Sequence, residues 1–138
     1  MSRLKNEGSF NVVYFQHGLC DTNFTWLVHG PGESLGFEAR DSGYDVFLGN
    51  YRGVYPRKLA KWKQDGDYWN YSIDHIAKYD IHAFLTKIFQ IKVQEYQKME
   101  DCSKLTQEKI EKIVKGKLKI TYIGHSLGGM LLSMYLIF

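Results

Sequence analysis

Apolar and polar positions change their period several times along the chain, and each change marks an element. Val12-Val13-Tyr14-Phe15 is a short β-branched and aromatic run, which predicts a buried strand, and Gln16-His17-Gly18-Leu19 follows it as a turn. Glu33 to Ser42 reads as a short helix closed by Gly43, and Tyr44-Asp45-Val46-Phe47-Leu48-Gly49 as a second strand. Irregular chain is expected from Asn50 to about Trp69. Beyond Ser72, Ile73, Ile76, Ala77, Ile81, Phe84, Leu85 and Ile88 recur at helical spacing and make one apolar face. Ser72 is the expected N-cap, with Asp74 in the first turn. Thr106 to Lys115 predicts a second helix, ended by Gly116. Leu118 to Ile123 predicts a third strand, and Gly124 opens a sharp turn into a final apolar helix.

Strands alternating with helices imply a mostly parallel sheet with crossover helices, an α/β architecture. In the expected strand order the run at Val12 is central, flanked by those at Tyr44 and Leu118. No leading strand is read before Asn11, so both sheet edges are expected to be open and apolar. No repeat, linker or low-complexity tract divides residues 1–138.

The chain has 138 residues, 44% hydrophobic and 15% aromatic, which suits a globular domain rather than a disordered one. Folds of the expected class commonly run to about 200–250 residues, so the length hints at part of a domain. The net charge of +3 is mild. Its excess lysines fall between Lys87 and Lys119, interleaved with Glu95, Glu100, Asp101, Glu108 and Glu111, which reads as a solvated helical surface and not a nucleic-acid site. Cys20 and Cys102 lack the spacing of a zinc site or a disulfide framework. Residues 1–8 carry no apolar signal-peptide core, and residues 130–138 are far short of the ~20 needed for a transmembrane segment; they read as a buried helix.

The chemistry concentrates in Gly124-His125-Ser126-Leu127-Gly128. This is a GxSxG pattern, and its setting makes it specific: the β-rich run Lys119-Ile120-Thr121-Tyr122-Ile123 precedes it and an apolar helical run follows. Gly124 and Gly128 are required because the turn is too tight for side chains, His125 lies inside the elbow, and Ser126 is the candidate nucleophile. Gln16-His17-Gly18-Leu19 ends the first strand, where this arrangement supplies one oxyanion-hole N–H; the residue after the nucleophile supplies the other. The two donors are then the backbone amides of Leu19 and Leu127. Side chains nearby take quieter roles. His125 cannot turn back on the serine as its base, His17 packs near the oxyanion loop, Asp80 accepts hydrogen bonds near the core and Arg52 pairs with a carboxylate. Trp26 and Trp69 are core residues, with an acyl pocket as the alternative, and Cys20 fills space.

Val13-Tyr14-Phe15-Gln16-His17-Gly18-Leu19, Ser34-Leu35-Gly36-Phe37, Gly43-Tyr44-Asp45-Val46, Gly49-Asn50-Tyr51-Arg52-Gly53, Tyr68-Trp69-Asn70-Tyr71-Ser72, Ala77-Lys78-Tyr79-Asp80-Ile81 and the GxSxG run follow one another in order. Together they resemble the acid lipase family of α/β-hydrolases: gastric lipase, lysosomal acid lipase and their plant and protist relatives. The resemblance covers roughly residues 11–135. It implies hydrolysis of triacylglycerols or cholesteryl esters without metal or cofactor, contact with a lipid interface, and a secreted or lysosomal setting. Leu127 stands where animal members usually carry Gln, His82 replaces a usual Pro, and the stretch from Lys92 to Lys117 is longer than in familiar members. In this fold the acid and base follow the serine. Residues 127–138 contain neither Asp, Glu nor His, so the partial α/β-hydrolase domain is expected to find both beyond Phe138. Two readings compete with a lipid esterase: another serine hydrolase such as a thioesterase, and a non-catalytic fragment that binds a partner chain or lipid.

Overall fold

The computed structural model describes residues 1–55 and 68–138. Four strands form one mixed sheet: β1 (Ser2–Leu4), β2 (Asn11–Gln16), β3 (Asp45–Gly49) and β4 (Lys119–Gly124), in the order β1-β3-β2-β4. β2 runs parallel to both β3 and β4, with Tyr14 opposite Phe47 on one side and Tyr122 on the other. The expected central position of the Val12 run and its two parallel neighbours are therefore present. β1 corrects the expectation of two open edges: it pairs antiparallel with β3, Arg3 opposite Phe47. Three residues are too few to show a period, which is why this strand left no trace in the pattern. Among the described residues the outer strands are β1 and β4, and Lys119 and Thr121 of β4 are exposed.

Period-two alternation places the two faces of β2 in different cores. Val13 and Phe15 join Val46, Leu48 and Trp26, with Ala39 of α1 (Leu35–Asp41) packed against them. Val12 and Tyr14 join Phe47 and Ile88 on the opposite face. Gly43 has a φ of +90°, the left-handed conformation a helix-ending glycine adopts without steric penalty.

The long apolar run after Ser72 folds as α2 (Ile73–His75), a π-helical stretch (Ile76–Ile81) and α3 (His82–Met99). Ser72 is the N-cap, and its amide donates to His75 Nδ1 at 3.0 Å. Ile73 departs from the expected apolar face and is 44% exposed, because it precedes the stretch that turns Ile76, Ala77 and Ile81 inward. α4 (Gln107–Lys117) packs Ile110 and Val114 on Val93 and Tyr96 of α3. Gly116 lies inside α4 and does not end it; the helix stops at Leu118, whose extended backbone leads straight into β4. α5 (Leu127–Tyr135) buries Leu127 and Leu131, while Met130 and residues 136–138 are exposed. No helix among the described residues is long and apolar enough to cross a membrane.

The lysine-rich stretch is not wholly solvated, as its pattern suggested. Lys92 and Glu95 turn inward from α3 and meet Arg3 and Asp45. Arg3 donates to both carboxylate oxygens of Asp45 (2.8 and 2.5 Å) and to Glu95 (2.6 Å), and Lys92 pairs with Asp45 and with Glu95 (2.8 Å). Asp45 and Lys92 are fully buried. Two cations against two anions make the cluster neutral, which is the condition for burying charge at this depth.

Candidate active site

β4, the turn at residues 124–126 and α5 form a strand–turn–helix elbow at one end of the sheet. Space dictates its glycines. A Cβ on Gly124 would stand 2.5 Å from backbone atoms of Gly128 and Gly129, and one on Gly128 would overlap the Gln16 carbonyl oxygen. Backbone cannot move aside as a flexible side chain can. Tyr122 Oη donates to the Gly128 carbonyl at 2.8 Å, and the His125 amide donates to Gln16 O at 3.1 Å, so the elbow is tied to both adjacent strands.

Ser126 sits at the apex with φ 52° and ψ −119°. A positive φ on a residue bearing a Cβ costs on the order of 1–3 kcal/mol and persists only where the surroundings impose it. Here the surroundings are the parallel ladder below and the first turn of α5, where Gly129 and Met130 donate to Ser126 O. The Ser126 residue is exposed, and no described side chain hydrogen-bonds its hydroxyl.

The loop after β2 lies against this apex. A Cβ on Gly18 would stand 3.2 Å from Ser126 Cβ and 3.1 Å from His125 Nδ1. Neither the Leu19 amide nor the Leu127 amide has a hydrogen-bond partner among the described residues. Both residues line one depression of about 540 Å³, together with Tyr51, Tyr71, Ile73 and Ile76. A second depression has a volume of about 340 Å³. Its lining mixes Asp21, His29, Glu33 and His125 with the apolar Trp26 and Leu35. Both volumes fall in the range of about 300–1,000 Å³ typical of small-molecule sites.

His17 is fully buried, and its ring lies in tilted contact with that of Tyr51, centroids 4.5 Å apart. His17 Nδ1 lies 2.8 Å from Gly18 O, and since a carbonyl only accepts, Nδ1 carries the proton. Burial pushes the imidazole below its ordinary pKa of 6.5 and keeps it neutral. Tyr51 Oη donates to the same Gly18 carbonyl at 2.8 Å. Burial raises that phenol to about 12, so it stays a donor throughout the physiological range.

Arg52 and Asp80 form a forked ion pair (2.8 and 2.5 Å), reinforced by the Arg52 amide on the second carboxylate oxygen at 2.8 Å. This matches the scaffold role read for both. Trp26 is buried against Phe15, whereas Trp69 is 58% exposed and packs edge-on against Tyr68. Cys20 is exposed and has a φ of 57°, so it does not fill space as expected; it occupies the bend that carries the chain away from Gly18 and Leu19. The irregular chain expected up to Trp69 lies largely outside the described residues. No cluster of three or more His, Cys, Asp or Glu among the described residues is arranged to hold a metal. The convergence of Tyr51 on Gly18 escaped the sequence, because nothing in a run such as Asn50-Tyr51-Arg52 signals a partner 33 positions away.

No family profile matches the chain. It is 37% identical over 126 residues to gastric triacylglycerol lipase of Rattus norvegicus, an overlap of 90% of this chain and 26% of that protein. Lipase member K of Homo sapiens is 37% identical over 119 residues, 85% of this chain and 24% of its own length. Lipase member M of Mus musculus is 42% identical over 91 residues, 64% of this chain and 22% of its own length. The chain therefore spans about a quarter of the length of the curated relatives it matches.

Proposed function

We propose, from its kinship with the acid lipases, of which it spans a part, that this chain carries the nucleophile and oxyanion hole of a carboxylic ester hydrolase acting on lipid esters, triacylglycerol or cholesteryl ester. The observation that carries this reading is Ser126: a serine held at positive φ on a strand–helix turn, its Cβ close against Gly18, with the unpartnered amides of Leu19 and Leu127 in the same region. Strain maintained at an exposed polar apex is what a nucleophile elbow requires.

In this reading a base removes the Ser126 hydroxyl proton as Oγ attacks the ester carbonyl carbon. The carbonyl oxygen becomes an oxyanion and accepts from the Leu19 and Leu127 amides. Collapse breaks the bond to the alcohol oxygen, which leaves with the proton. Water then attacks the acyl-serine by the same route and frees the fatty acid. The reading requires a base and an orienting acid in addition to Ser126, and residues 127–138 hold no Asp, Glu or His for either role. Leu127 stands inside the depression and at the start of α5 at once, which puts the apolar 540 Å³ space beside the acyl carbon and suits it to the fatty chain.

The test is a panel of p-nitrophenyl esters of increasing chain length, assayed with the longest natural polypeptide that contains these residues. Ile73 lines the depression from an exposed position, so Ile73→Trp narrows it without disturbing the core. The substitution is expected to lower kcat/KM for long-chain esters about 10-fold, a loss of ~1–3 kcal/mol of pocket contact, and to spare acetate and butyrate esters. Equal rates across the panel would place the acyl chain elsewhere.

A further inference from the structure

We propose that Tyr51 and His17 are positioning residues for the oxyanion hole: their two hydrogen bonds to the Gly18 carbonyl set the direction in which the Leu19 amide donates. The inference rests on the reading of Leu19 as an oxyanion donor and adds what holds that donor in place.

A peptide group is planar and almost always trans, so the carbonyl of one residue and the N–H of the next point in opposite directions. The Gly18 carbonyl and the Leu19 N–H belong to one such group. Fixing the carbonyl therefore fixes the N–H. Two donors converge on that oxygen, His17 Nδ1 and Tyr51 Oη, each at 2.8 Å. They come from different elements: His17 follows β2 directly, and Tyr51 follows β3, the neighbouring strand. Their rings are in tilted contact, centroids 4.5 Å apart, so each ring limits the movement of the other. The carbonyl is thereby drawn toward the His17–Tyr51 side and the Leu19 N–H is driven the opposite way.

Without this clamp nothing described would orient the peptide. Leu19 is 71% exposed, its amide has no partner, and the next residue, Cys20, is already in a left-handed conformation. Glycine at position 18 has no side chain to restrict rotation. Such a segment samples several peptide orientations unless it is held, and an oxyanion hole gains its effect from donors that need no reorientation during the reaction. Both clamp residues are suited to constancy. His17 presents its Nδ1 proton while its Nε2 is buried without a partner, which disfavours a second proton there. Tyr51 keeps its phenol proton at any pH an ester hydrolase meets.

The experiment uses the longest natural polypeptide containing residues 1–138 and compares wild type with Tyr51→Phe, Tyr51→3-fluorotyrosine and Ser126→Ala. Phenylalanine keeps the ring and its contact with His17 and removes only the donor; fluorotyrosine keeps the donor. Three quantities are read: kcat and KM for a p-nitrophenyl ester, and the inhibition constant of a trifluoromethyl ketone of the same chain length, whose hemiketal oxyanion mimics the transition state. Tyr51→Phe is expected to lower kcat about 10- to 100-fold, in the range of a mis-set or missing donor, with KM changed less than about 2-fold. Ketone affinity should fall in parallel, and fluorotyrosine should restore both. Unchanged kcat in Tyr51→Phe overturns the inference. So does a fall in kcat with ketone affinity intact, because a mis-set oxyanion donor weakens the bound hemiketal oxyanion along with the transition state. Turnover surviving in Ser126→Ala would instead sink the underlying reading of the site, whereas its loss in that variant alone, with Tyr51→Phe fully active, would remove only the clamp.

Discussion

Ser126→Ala is expected to abolish ester hydrolysis, lowering kcat by about 10⁴-fold or more, and to leave the protein folded. The size of the loss follows from cooperation within the site. A serine nucleophile, its base and the oxyanion donors act as a unit, and removing the nucleophile forfeits nearly all of their joint effect, leaving what binding and the oxyanion hole alone supply. The fold survives because the Ser126 hydroxyl has no hydrogen-bond partner among the described residues and the residue is exposed. Ser126→Gly sharpens the expectation. Glycine adopts a φ of 52° without the steric penalty that serine carries there, so this variant should be equally inactive and more resistant to denaturant by about 1 kcal/mol, the low end of such strain. A stabilised but dead Ser126→Gly would identify the strain as functional. A destabilised one would show that the serine side chain supports the turn. Urea titrations read with rates on one p-nitrophenyl ester decide the matter.

The second large effect lies away from the elbow. Lys92→Met removes one of the two cations that neutralise Asp45 and Glu95. Arg3 then faces two carboxylates alone, one of them fully buried. Breaking a buried ion pair from one side costs on the order of 3–5 kcal/mol, because the partner is left charged and desolvated. Against a domain stability of about 5–15 kcal/mol, that is enough to unfold a large share of the protein at 37 °C. The double variant Lys92→Met/Glu95→Leu removes one charge of each sign and leaves Arg3 and Asp45 paired through two hydrogen bonds. It is expected to recover most of the loss. Denaturation midpoints of the two single variants and the double one give the coupling. Additive losses would mean that Lys92 and Glu95 do not share a site.

What could be read from the chain, and what could not, divides by the distance over which each signal acts. The elbow was legible because its requirements are local. A β-branched run, two glycines that admit no Cβ and an apolar helix occupy consecutive positions, and the backbone has few ways to satisfy them. β2 and β3 were legible because continuous apolar runs such as Val12-Val13-Tyr14-Phe15 suit strands buried on both faces. The ion cluster was not. Lys92 and Glu95 sit in a run of polar residues that fits a solvated helix, and Asp45 opens a strand; only the fold brings them to Arg3, 42 and 92 positions away. β1 was missed for its brevity. Gly116 misled because glycine commonly ends helices, yet here the chain passes into β4 without a left-handed residue. The Gly18 clamp was invisible for the same reason as the ion cluster: a phenol and a carbonyl 33 residues apart leave no mark on local composition.

Covalent capture tests most directly whether Ser126 is the nucleophile of an ester hydrolase. A p-nitrophenyl alkylphosphonate reacts with an activated serine by displacement of p-nitrophenol, leaving a stable phosphonyl ester that is a tetrahedral mimic of the acyl transition state. Incubated with the longest natural polypeptide that contains residues 1–138, it should add one phosphonyl group per chain. Activity should fall in step with labelling, and peptide mass mapping should place the group on Ser126 within the segment spanning Gly124 to Gly128. Labelling of another residue at the rate of inactivation, or full labelling and turnover retained in Ser126→Ala, would contradict the account.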